Sequence, residues 1–465
     1  MNIMYLQDLC RGCFGRKVAY ANVERITEEN VVQVVGNCIG TFNYNKPIVR
    51  YLWNYMKGDQ PSLYRTKIVR DDIINHVVEN HAWEIVQFKT AQTYGEPIQI
   101  VALTDDVTVN SNVDVLNSYN RAANKAAKDI ECGQWQSAAG TGYKAIQYTG
   151  DKDLPYRIVV PTPMNTFVIY SKITEEPLLA VQELLDEEGK RFLLCFSKTN
   201  EYRIQDGKLM GITAADGMIV KSKLHAFGAI PIVEYPNNPE RLSDIELVIT
   251  MLDTINSMQS NRMDSIEQFV QSWVKFINCD IDETTFNQMK RMGALTVKSN
   301  GDRNADVDIM SQELKQTESQ VAKDDLWNNV LSISAIPNKQ GNGSGDTQGA
   351  VELRNGWDFS KQRARMKDPF VIDSERRISK LILNTIRVKG NNDCQLKQFE
   401  YDIQINHSPT DNMQVKAESL QMLLGAGIHP LIAIKVVGLF PDPEKVYTLS
   451  KDLIAKLQTK DTSAE

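Results

Sequence analysis

The chain has 465 residues, 42% hydrophobic and 24% charged, which is globular composition with room for more than one domain. Its 59 acidic residues outnumber 52 basic ones, and the resulting charge of −7 disfavours a protein that grips nucleic acid by neutralising phosphates. The opening residues lack a signal peptide's apolar core, no run approaches the roughly 18 apolar residues of a membrane span, and the seven cysteines are irregularly spaced, so a reducing, aqueous compartment is expected, with no membrane contact.

In chain order, residues 27–95 read as helical. Pro47 suits a first helical turn and Gly58 a stop, which predicts a helix between them. A second pattern runs through Ile74, Val77, Val78, Ile85 and Val86 and ends at Gly95, with Pro97 beyond. Residues 112–131, with alanines at 122, 123, 126 and 127, predict one further helix. From about 143 to 233 the pattern turns strand-like, and turn signals such as Asp206-Gly207 and Asp216-Gly217 predict antiparallel hairpins in one sheet, an α+β arrangement.

Ser243 and Glu246 have capping-box spacing. Apolar residues follow at Ile245, Val248, Ile249, Leu252, Ile255, Met258, Met263, Ile266, Phe269, Val270 and Trp273, uninterrupted by Gly or Pro. This predicts a helix of about 30 residues, roughly 45 Å long. A seam that long needs a long partner, and residues 314–332 supply one through Leu314, Val321, Leu326, Val330 and Leu331. The insert between them reads as a strand at 274–277, a short helix at 283–292, a strand at 295–298 and a polar loop around 300–308. A long helix kinked by Gly356 and Pro369 is predicted from about 350 to 389, then a strand at 397–405 and a helical segment from Pro409.

Motifs for chemistry mostly fail. Cys10 and Cys13 lack the second ligand pair of a zinc site. His76 and His81 are read as ordinary helix residues, and the doublets Asp71-Asp72, Asp105-Asp106 and Asp324-Asp325 as solvated helix starts or loops. The Gly-rich run 341–349 has Asp346 where a phosphate-binding loop needs lysine, and a carboxylate there would repel the ligand. No enzyme and no cofactor are expected.

Several strings, in order, resemble the portal proteins of tailed bacteriophages, of the kind found in siphophages of Gram-positive hosts. They are Arg50-Tyr51-Leu52-Trp53-Asn54-Tyr55-Met56-Lys57-Gly58, Asn80-His81-Ala82-Trp83-Glu84-Ile85-Val86, the run from Ile230 to Asn238 into Arg241 and Val248, Asp264-Ser265-Ile266-Glu267-Gln268-Phe269, and the stretch from Gly345 to Leu353. Gln348 departs from the small Ser more usual before the Gly-Ala pair.

The resemblance implies a portal fold: an α/β wing at 1–241 with 356–408 returning to it, stem helices at 242–274 and 311–334, a small α/β clip at 275–310, a tunnel loop at 335–355 leading into a kinked tunnel helix, and a helical crown at 409–465. It implies a ring, of about twelve copies, at the capsid vertex of the virion, assembled in the host cytoplasm. Double-stranded DNA would pass through without sequence specificity. Terminase, a head-completion adaptor, and the major capsid and scaffold proteins would be partners. Asn338, Lys339, Gln340, Asn342, Ser344, Asp346 and Thr347 are the tunnel-loop candidates, uncharged or acidic apart from Lys339, so that they offer little to hold phosphate. Phe269, Trp273, Leu326 and Trp327 are stem candidates for burial within or between subunits, and Asp280, Asp282, Glu283, Lys290 and Arg291 are clip-docking candidates. The alternatives are another ring-forming or minor phage structural protein, or a metal-dependent nuclease using the acidic doublets.

Overall fold

The computed structural model describes residues 15–68, 71–104, 106–213, 217–270, 273–277, 284, 306–310, 316–338, 356–391, 393–407, 413–437 and 446–451. It begins with β1 (Ala19–Ala21), α1 (Val31–Met56), a single tight turn at Pro61–Tyr64, α2 (His81–Tyr94), β2 (Gln99–Ala102), α3 (Val107–Ala122) and α4 (Lys125–Ala139). Eleven strands follow: β3 (Thr141–Tyr148), β4 (Tyr156–Val159), β5 (Thr166–Ser171), β6 (Pro177–Leu185), β7 (Arg191–Phe196), β8 (Asn200–Gln205), β9 (Lys208–Met210), β10 (Ile212–Thr213), β11 (Ile219–Val220), β12 (Lys223–Leu224) and β13 (Ile232–Pro236). Then come α5 (Ile249–Val270), β14 (Trp273–Ile277), β15 (Asp306–Met310), α6 (Gln316–Ser334), α7 (Trp357–Arg365), α8 (Asp368–Lys389) and β16 (Tyr401–Gln404). Residues 1–406 form one unit; residues 407–465 form a second, carrying α9 (Met413–Gly425) and α10 (Pro430–Val437).

The strand region is several sheets rather than the one expected. β1-β5-β6-β7-β8-β12, with β9 added to β8, make the largest; β1 joins β5 in parallel and the remaining pairs are antiparallel. β13-β3-β4 form a second sheet, while β2 pairs with β16, β10 with β11 and β14 with β15. The two larger sheets differ in burial: β3 is buried on both faces along most of its length, whereas β8 alternates buried and half-buried residues and β7 is mostly half-buried.

α1 ties two cores together. Its first half (Val31, Val34, Val35, Cys38, Phe42) packs on the largest sheet through Phe167, Ile169, Leu179 and Val181. Its second half (Ile48, Leu52, Tyr55, Met56) joins Ile85 and Val86 of α2 and the helices α5 and α6. Because this apolar face continues through Pro47, burial carries the helix across the proline, which lies inside α1 rather than at its start. A third core gathers Leu116 of α3, Ile146 and Tyr156 of the second sheet, Tyr401 and Ile403 of β16, and Ile378, Ile382 and Ile386 of α8.

Two long helical predictions resolve into pairs. The 112–131 helix is α3 and α4, broken where Asn124 adopts φ +51°. The helix expected from about 350 to 389 is, over its described part, α7 and α8, and Pro369 falls in the first turn of α8, where its missing N–H costs nothing. Residues 71–80 are not helical, so α2 begins only at His81, with the Asn80 side chain accepting from the Trp83 amide; His76 is therefore not a helix residue.

Where α4, β3 and α8 meet, four charges are buried together. Lys125 reaches Asp129 at 2.6 Å and Glu375 at 2.8 Å, while Lys144 contacts Asp129 and lies 2.7 Å from Glu375. Tyr235 donates its hydroxyl to Glu375 at 3.0 Å. Burial opposes Glu375's charge, yet the two ammonium groups prevail and hold its pKa down at about 2. The same pairing outweighs burial at Lys144 and pushes its pKa up.

Candidate functional site: the stem helices and their seat

The helix α5 starts from a built cap. The Ser243 amide donates to Glu246 at 2.7 Å and the Ile245 amide to Ser243 Oγ at 3.2 Å, the reciprocal pattern its spacing predicts. Arg16 pairs with Glu246 with both side chains nearly inaccessible, so the segment before β1 fastens the cap. The cap closes turns at 244–248, and regular helix begins at Ile249 and ends at Val270, shorter than the predicted 242–274.

The next turns bury the predicted apolar stripe. Ile245, Val248, Leu252 and Ile255 are each at most 2% exposed, against α1, α2 and the Val330, Leu331 and Ile336 end of α6. The stripe then changes character. Asn256, Ser260 and Asp264, spaced by four, are at most 3% exposed and hold residues between 60 and 67 and between 75 and 79.

Asn256 donates to Gln60 and accepts from the Glu79 amide at 2.8 Å. Ser260 Oγ lies 2.9 Å from Ser62 Oγ and accepts from the Val77 amide at 3.0 Å. Asp264 accepts from Arg65 and from the Asn75 amide, both at 2.6 Å, and contacts Lys67. Burial would raise Asp264's pKa, but these donors and the Arg65 charge hold it below the usual carboxylate range. The backbone amides of Asn75, Val77 and Glu79 are thus spent on α5 rather than on a helix of their own.

α6 closes the seat. Trp327 stacks on His81 of α2 with ring centroids 3.9 Å apart and planes 25° from parallel. Lys323 reaches Glu79 at 2.7 Å, and Gln259 of α5 donates to the same carboxylate. Burial opposes the Glu79 charge, but Lys323, Gln259 and His81 outweigh it and lower its pKa. Arg262 bridges the helices by donating to Gln320 at 2.8 Å.

Of the stem candidates, Leu326 and Trp327 are partly buried against this chain's own core. Phe269 lies in α5; Trp273 opens β14 rather than ending the helix. Val321 and Met263, expected in the seam, are 64% and 44% exposed, since α5 and α6 share a core mainly at the end nearest the cap. β14 pairs with β15, so a strand occupies 306–310 where the polar loop was expected to continue. The strand expected at 295–298, the clip candidates Asp280, Asp282, Glu283, Lys290 and Arg291, and the tunnel-loop candidates Lys339, Gln340, Asn342, Ser344, Asp346 and Thr347 lie outside the described residues. Asn338 is described, half-buried, and donates to Asn328 at 3.0 Å. The polar ladder was not foreseen; its signal is the spacing of four between Asn256, Ser260 and Asp264.

The model of a family described as "Phage portal protein, SPP1 Gp6-like" matches residues 36–434. The chain belongs to this phage portal family. The portal protein of Bacillus phage SPP1 is 22% identical over 299 residues, covering 59% of this chain and 56% of the relative, so the match spans little more than half of that protein's length. Solved structures with some likeness include a chain from the neck of an empty gene transfer agent particle, computed with C6 symmetry, at TM-score 0.47 and 11% identity, covering 78% of this chain and 90% of that chain. A chain from the neck of a native gene transfer agent particle, computed with C12 symmetry, has TM-score 0.46 and 12% identity over the same shares. In family terms α5 and α6 fall within the two expected stem segments, and α7 and α8 within the part expected to return to the wing.

Proposed function

We propose that copies of this chain close into a ring, of about twelve subunits, at a capsid vertex. The ring is the conduit through which double-stranded DNA enters and leaves the particle, and the platform on which terminase and then head-completion adaptors dock. Major capsid and scaffold proteins surround it. The observation that carries this reading is the portal family match over residues 36–434. Two features support it. The helix α5 leads into β14, which pairs with β15 ahead of α6, and a polar ladder on α5 fastens it to the segment before α2, a strut suited to standing beside its copies. The acidic balance of −7 suits a pore that must let phosphates slide.

Residues 242–274 and 311–334 are assigned as stem, 275–310 as clip, 335–355 as tunnel loop, 409–465 as crown, and the remainder as wing. Nothing in this role requires chemistry of the chain itself. The test is packaging. Replacing Asp346 by Lys places a cation in the loop assigned to the channel, and DNA content per particle is predicted to fall at least twofold. Unchanged DNA content would remove that loop from the conduit.

A further inference from the structure

Both ring nitrogens of His81 face carboxylates. Nε2 lies 3.1 Å from Glu79 Oε2 and Nδ1 lies 3.3 Å from Glu84 Oε2. An ionised carboxylate only accepts, and a neutral imidazole has one N–H and one lone pair. The arrangement is satisfied at both ends only by the imidazolium; a neutral ring would set its lone pair against an anionic oxygen. The face of the same ring lies on Trp327 of α6, where a positive charge gains from the indole π cloud. We propose that His81 is a proton-operated clasp, holding α6 against α2 when it is charged and loosening that joint when it is neutral.

The groups around the ring agree on the sign. Glu79, from the segment before α2, and Glu84, on α2 itself, favour the charged ring. From α6, Lys323 opposes it but is engaged by Glu79 at 2.7 Å, and from α5 Gln259 donates to that carboxylate. Imidazole as a side-chain type changes its charge between about pH 5 and 8, which sets the interval for the test. The stability a protonated histidine gains from partners is present at low pH and lost as pH rises. This clasp concerns the joint between α2 and α6 of one chain and stands apart from the ring reading.

Hydrogen exchange of amides in 316–334, corrected for the intrinsic pH dependence, tests it on the full-length protein at pH 6 and pH 8. Protection is expected to fall about tenfold across that interval, the loss of one hydrogen bond between charged groups. In His81→Phe, which keeps a stacking ring without a proton to lose, protection should be the same at both pH values. Glu84→Gln, whose amide can serve a neutral imidazole as donor, should shrink the effect without touching the core. Wild-type protection that does not change with pH would overturn the clasp. So would a tenfold loss that persists in both variants.

Discussion

Asp253 lies in the second turn of α5, where Tyr55 donates to it at 2.9 Å and burial lifts its pKa to about 6 despite that hydrogen bond. Between about pH 4 and 6 the folded chain therefore holds a proton that the unfolded chain has released, and this group's contribution to stability falls as pH rises through that window. Asp264, Glu79 and Glu375, all held low by donors and cations, act in the opposite direction and withdraw their support as pH falls below the normal carboxylate range. Asp253→Asn cannot ionise, so relative to the native chain it should gain about 2 kcal/mol between pH 4 and pH 7, read from urea midpoints. Parallel curves for the two proteins would contradict the buried-carboxyl account. Lys144 makes the complementary case. It is fully buried, and Lys144→Met leaves Asp129 and Glu375 sharing Lys125 alone. A loss of about 3–5 kcal/mol is expected, the usual cost of uncovering a buried charge, and calorimetry would show it.

At the scale of elements, the ladder Asn256, Ser260, Asp264 fastens the segment before α2 onto α5. Asp264→Ala removes the carboxylate shared by Arg65 and Lys67, leaving them only Asn261 and the Ile73 carbonyl among the described residues, so trypsin should cut after these residues about tenfold faster, while cleavage elsewhere changes little. Equal rates would mean the segment is held by other contacts. Capping and periodic burial were legible in the sequence here: Ser243 and Glu246 form their box, and Ile245, Val248, Leu252 and Ile255 are the core face their spacing implies. The ladder was not, because polar residues at helical spacing look like a solvated face until their distant acceptors and donors are known. For the same reason 71–80 looked helical; its amides satisfy themselves nearly 200 residues away. The split at Asn124 had no Gly or Pro to announce it, and Trp273 was assigned to a helix because a strand's first residue continued the apolar pattern. Pairing of β1 with β5 joins residues about 150 apart, beyond any local signal. Gly140 shows the tightness of such junctions: at φ +83° between α4 and β3, a Cβ there would lie 2.0 Å from the Arg241 carbonyl oxygen.

For the whole molecule, the family assignment was legible because it rests on the order of many short strings, and portal family matching spans 36–434. The residues that would meet DNA or docking partners were named from resemblance alone, and most fall in 278–305 and 339–355, outside the described residues. What the described parts do supply is a pair of helices, α5 and α6, anchored at one end to α1 and α2. Met263 and Val321, further along them, are exposed in the single chain. Electron microscopy of the purified full-length protein tests the proposed ring most directly. The account predicts closed rings of about twelve subunits with a central channel wide enough for duplex DNA; a uniform population of single, compact particles without a channel would contradict it.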